Sequence, residues 1–172
     1  MIREIYDELT LALKRIRIGQ DGRPVVLAPG EEDNVFMPCL IAHIDLWNQN
    51  VEFVEEDEAW ARPAVFIEFG EITWDPYKGP DNGMKGTGEV RFHVVTEWKG
   101  SAADGSMYKD ETLKDYDIPS AINTSLIGLG GAQFRNLKPS RTLVNHNHQE
   151  LLENIEIYTI TYDRRYDEYL NC

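Results

Sequence analysis

Residues 63–74, PAVFIEFGEITW, and residues 89–98, EVRFHVVTEW, decide the fold. Both are rich in β-branched and aromatic residues and alternate with a period of two, the pattern of half-buried strands. In the first, Val65, Ile67 and Phe69 share one side. In the second, Val90, Phe92 and Val94 face inward, and Glu89, Arg91 and His93 face outward. Pro63 suits the first residue of a strand, where its missing N–H is not needed by the ladder. Between the two runs, Gly79-Pro80 and Asn82-Gly83 are turn signals, so the chain returns as a hairpin. The span from Asp75 to Gly88 reads as a long glycine-rich loop, with Gly83, Gly86 and Gly88 supplying flexibility.

Outward from this hairpin the pattern changes. Ile2, Ile5, Tyr6, Leu9, Leu13 and Ile16 recur at steps of three and four, which predicts a helix over 2–16, stopped by Gly19 and the Asp21-Gly22 turn. Pro24–Leu27 and Ile41–Trp47 read as short strands, and Glu55–Glu58 as an acidic loop. A second helix is expected near 111–128. Asp117 is its candidate N-cap, Pro119 lies in its first turn, Ile118, Ala121, Ile122, Leu126 and Ile127 form its stripe, and Gly128 is its stop. Residues 137–148 read as a polar strand or extended arm, and IEIYTITYD, 155–163, as the last strand. The order is that of a single α+β domain over 1–172, a mostly antiparallel sheet with two helices packed on one face.

Composition agrees with such a domain. The chain has 172 residues, 42% of them hydrophobic and 27% charged, which excludes a disordered tail or a coiled-coil rod. Cys39 and Cys172 are too few for a disulfide framework or a four-cysteine zinc site. No run approaches the roughly 20 apolar residues of a membrane span. Arg3, Glu4, Asp7 and Glu8 interrupt any signal-peptide core, so the expected setting is a cytoplasm with reduced thiols. The formal charge is −13, and residues 31–75 hold twelve acids and one base, Arg62. That quarter of the chain repels nucleic-acid phosphates. Its acids, with Glu55, Glu56, Asp57 and Glu58 as the densest cluster, form either a solubilising face or a surface that stays near DNA without binding it or docks a basic partner.

Motifs for chemistry are sparse. Pro80-Asp81 followed by Glu97-Trp98-Lys99 spells the pattern of PD-(D/E)xK nucleases, in which two carboxylates hold a divalent ion and a lysine serves the attacking water. Against it, Asp81 sits in a Gly/Pro turn, and Glu97–Lys99 lies where a strand runs out. His146 and His148 fall on one side of an extended chain, but zinc would need further ligands, and the flanking asparagines suit a polar loop. Cys39, in the apolar run MPCLIA, reads as a buried thiol. Tyr158 and Tyr162 read as core or interface residues rather than a stacking platform, since no basic residues are interleaved. There is no phosphate-binding glycine loop and no nucleophile elbow. No cofactor, metal ligand or catalytic residue is therefore expected.

Several features together resemble a known family. They are the opening helix MIREIYDELTLALKRI, the proline-led strand PAVFIEFG, the second strand VRFHVVTEW, a central helix and the closing strand YTITYD. This order is similar to that of the tail terminator, or tail completion, proteins of long-tailed bacteriophages and prophages. The resemblance implies a structural assembly protein without enzymatic activity. It implies a hexameric ring at the head-proximal end of the tail tube, with tube and head connector proteins as partners. DNA would pass through without specific binding, past an acidic lumen for which Glu55–Glu58 is the candidate. It also implies assembly in the host bacterial cytoplasm and residence in the virion neck.

Overall fold

The computed structural model describes residues 1–31, 36–48, 60–77, 83–145 and 151–165. The deciding hairpin is present: β4 (Ala64–Pro76) pairs antiparallel with β5 (Gly83–Glu97), which places Phe92 opposite Ile67 and Val94 opposite Val65. It forms the middle of a five-stranded sheet of order β3-β4-β5-β7-β6, completed by β3 (His43–Leu46), β6 (Phe134–Asn145) and β7 (Leu151–Arg165). Only β3–β4 is parallel; the other three pairings are antiparallel.

Two helices, α1 (Ile2–Lys14) and α3 (Asp117–Leu126), pack on one face of this sheet. The α+β architecture expected from the sequence is the one observed. In α1 the stripe Ile5, Leu9 and Leu13 is fully buried, and each such side chain contributes about 1.5–3 kcal/mol. In α3, Ile118, Ile122 and Leu126 do the same against Val65, Phe92, Val94 and Tyr158. The helices are tied directly to each other: Ser125 Oγ donates to the Ala12 carbonyl, and Arg15 Nη2 donates to the Ser125 carbonyl at 2.9 Å.

Several boundaries differ from the sequence reading. Ile16 leaves the helix and begins a small hairpin, β1 (Ile16–Ile18) with β2 (Pro24–Val26), so the Gly19 and Asp21-Gly22 signals belong to a β-turn region rather than to a helix end. The second helical segment is two helices, α2 (Lys109–Asp115) and α3, linked through Tyr116 in αR geometry. Asp117 is therefore a first-turn residue, not the N-cap, where its charge still favours the helix N-terminus. Ile127 is 67% exposed because the chain leaves helical torsions there. The polar strand begins earlier than expected, at Phe134, and ends at Asn145, while the last strand extends to 151–165.

The largest difference concerns the glycines. Gly83, Gly86 and Gly88 lie inside β5, not in a loop. At Gly88 an added Cβ would meet the Glu71 carbonyl oxygen at 2.8 Å and the Tyr162 ring at 3.2 Å; at Gly86 it would meet Ile72 and the Trp74 ring within 3 Å. These glycines are absences of side chain over which large neighbours fit. Gly88→Ala is expected to lower stability by about 1–3 kcal/mol, as overpacking does, without altering the far-ultraviolet spectrum. An unchanged denaturation midpoint would show that the strand gives way freely.

Candidate functional site

Residues 64–67 of β4 are buried without a break, so the alternation of the sequence is real but both faces are covered. On the face away from the helices, Ala64, Phe66, Val95 and Leu151 form a second small core under Trp47 and Trp60. His93 sits beside it. The sequence reading turned His93 to solvent; it is instead 5% exposed. Its Nδ1 lies 2.7 Å from Glu153 Oε1 and its Nε2 lies 3.1 Å from Glu68 Oε2. Carboxylates only accept, so this geometry is satisfied in full when both ring nitrogens donate. Trp47 closes the ring from above, parallel to within 3° at 3.8 Å.

The polar row continues across the sheet. Arg91 Nη1 donates to both Glu68 oxygens, at 3.1 and 3.2 Å, and Arg141 of β6 reaches Glu89 at 3.0 Å. Asn145 Nδ2 donates to Glu153 Oε2 at 2.7 Å. Ile157, between Arg91 and Arg141 in the register, is only 2% exposed. Each ring nitrogen of His93 is engaged by a different carboxylate, and the indole shields one ring face. The cluster therefore fastens four strands together.

Among the clefts elsewhere, two hold residues that bear on the sequence reading. One, of about 430 Å³, opens between the β1–β2 hairpin and α2 and is lined in part by Cys39, Arg62, Lys99, Lys114 and Asp115. Burial pushes the Asp115 carboxyl above its ordinary value; Lys99 opposes that shift, and Glu97 and Glu111 add to it. Cys39 is exposed, contrary to the sequence reading, because its apolar run lies as an edge segment against β1, with Arg17 opposite Cys39. Arg17 Nη1 lies 3.0 Å from the thiol sulfur. Of the nuclease-like residues, Glu97 pairs with Arg62 at 3.2 Å and Lys99 lines this cleft. Asp81, His146, His148, Cys172 and the acidic cluster Glu55, Glu56, Asp57 and Glu58 lie outside the described residues. Among the described residues no three His, Cys, Asp or Glu side chains are grouped to hold a metal. Among them, too, no helix is long and apolar enough to cross a membrane.

The second cleft, of about 380 Å³, runs between α3 and the β6–β7 pair, with Tyr116 and Pro119 on one wall and Pro139 and Val144 on the other. Asn154 and Glu156 also line it, and both are buried. Glu156 Oε2 accepts from Thr142 Oγ1 at 2.8 Å, whereas Glu156 Oε1 and Asn154 Nδ2 have no hydrogen-bond partner among the described residues. The sequence reading singles out neither: Glu156 falls within the last strand and Asn154 just before it. The available signal was their parity with Tyr158 and Tyr162, which places them on the helix face.

Burial raises the Glu156 carboxyl above its ordinary 4.5, an effect that the Thr142 hydrogen bond partly offsets. The folded state then holds this proton more tightly than the unfolded state. The stability associated with it is complete below the ordinary carboxylate value and is lost as pH rises through the raised one. Glu156→Gln is expected to remove that loss, so variant and wild type should diverge upward from about pH 4.5, the variant becoming relatively more stable. Urea melts across a pH series measure it, and parallel curves would contradict it.

No protein-family model matches the chain, and no curated protein matches it.

Proposed function

We propose that this chain is a structural subunit of the tail terminator or head–tail joining type, assembling into a ring at the head-proximal end of a phage or prophage tail tube. The observation that carries this reading is the open sheet. Helices cover one face, and β3 and β6 each have an outer edge with no second strand partner among the described residues. A subunit with two free edges can repeat by rotation until it closes, which is how heterologous contacts make rings. The element order that resembles the terminator family is the order that builds this sheet. The charge of −13 suits a channel wall past which DNA moves without adhering. The tube and connector proteins are the partners, and the ring is built in the host cytoplasm before it enters the virion neck.

The test is assembly. Light scattering and negative-stain microscopy of the purified chain, alone and with its cognate tail tubes, should show rings and capped tube ends. A chain that stays monomeric alone and leaves tubes uncapped would remove the assignment.

A further inference from the structure

We infer that β6 is a docking strand for the β3 edge of a second copy, so that subunits join head to tail through one continuous sheet. The inference rests on the ring reading and names its contact.

The two edges are complementary in charge. The span 134–145 carries Arg135, Lys138 and Arg141 and no acid, in a chain of net charge −13. At the opposite edge, about 19 Å away across four strand spacings, β3 carries the exposed Asp45 and no Lys or Arg. Lys138 has no carboxylate partner among the described residues, whereas Arg135 and Arg141 are paired to Asp163 and Glu89 within their own subunit.

Both edges also expose apolar side chains. Leu143 is 50% and Val144 44% exposed on β6, and Leu46 is 48% exposed on β3. An exposed edge with apolar residues is a template for another strand. Pairing with β7 is regular from Arg141 to Asn145, past the two register shifts earlier in β6. That stretch therefore keeps an uninterrupted ladder behind the edge that a neighbour would meet. Beside it lies the cleft between α3 and β6, into which a side chain of the added strand can enter. Directions agree as well. β3, β4 and β7 run one way and β5 and β6 the other. If the ring axis lies along the strands, the junction of β3 with β6 is antiparallel, the more stable arrangement.

The experiment uses two full-length variants. Leu143→Glu with Val144→Glu makes the β6 edge repel Asp45 on the β3 edge. Asp45→Lys with Leu46→Lys makes the β3 edge repel the basic β6 edge. All four positions are exposed, and thermal melts check that each variant folds. Each alone should self-associate at least tenfold more weakly than wild type. Mixed one to one, they should assemble again, because each supplies the edge that the other lacks. Lys138→Glu, a single exposed change, should weaken association in the same direction. A variant pair that stays apart on mixing, or a β6 variant that assembles like wild type, overturns the inference and leaves the ring reading standing. A wild type that is monomeric up to its highest soluble concentration overturns the inference, and the tube-capping assay then decides the ring reading separately.

Discussion

Phe92→Ala is expected to lower the unfolding free energy by about 3–5 kcal/mol, the range for removing a large aromatic from a closed core. Phe92 has no exposed surface. Its ring meets Tyr158 edge-on at 5.3 Å and 84°, an arrangement worth about 0.5–1.5 kcal/mol beyond area burial. Ile67 flanks it on β4, and Ile118 and Ile122 of α3 belong to the same core. The space left by truncation is walled by a sheet on one side and a helix on the other, and neither can collapse far. Denaturant melts should show a lower midpoint at unchanged slope. A loss of a few tenths of a kcal/mol would mean that α3 does not press on this face.

The second large effect is expected at the polar row. His93→Phe keeps a ring of similar size beneath Trp47 but removes both ring nitrogens. Glu68 and Glu153 then face the site without the ring nitrogens that lie between them, at 3.1 and 2.7 Å. Breaking a buried pair from one side costs about 3–5 kcal/mol, because a charge remains in a poorly solvated place. Glu153 is 2% exposed, so solvent does not take over the role of the ring. Adding Glu153→Gln should restore much of the loss. The four proteins form a double-mutant cycle, whose coupling for groups in contact is about 0.5–3 kcal/mol. Strict additivity would show that the ring and the carboxylate do not act together.

Much of this fold was legible because its strands alternate. The inward side of β4 and β5 and the stripes of α1 and α3 follow from period alone, and Tyr158 and Tyr162 lie in the core as read. His93 was misplaced for a definite reason. Alternation assigns a residue to a face but does not say whether that face is covered. Of the two residues that cover it, Trp47 ends the short stretch read as a strand, and Trp60 lies beyond the acidic loop, where no element is read. The strand glycines were misread because their reason is tertiary: Trp74 and Tyr162 occupy the space that a side chain would need. Cys39 was misread because an apolar run can lie along the edge of a small hairpin as well as inside a core. For Glu156 and Asn154, local sequence shows two polar residues in or just before a strand, and only the packing of α3 against β6 and β7 reveals that they are enclosed.

The sheet order also sets a sequence of events during synthesis. β5 has β4 on one side as soon as the hairpin emerges, but its other partner is β7. Residues 98–165 must be added first, which at about 5–20 residues per second takes on the order of 3–14 s. For that interval the fifteen-residue β5 is a nascent edge at the ribosome, and Ser125 has yet to reach Ala12, 113 positions earlier. Lys85, Glu89 and Arg91 lie along that waiting strand. Charged residues are what keep an unfinished edge from recruiting the wrong chain. The same row that later joins β4, β5 and β6 by ion pairs thus first serves as the guard of a half-made sheet.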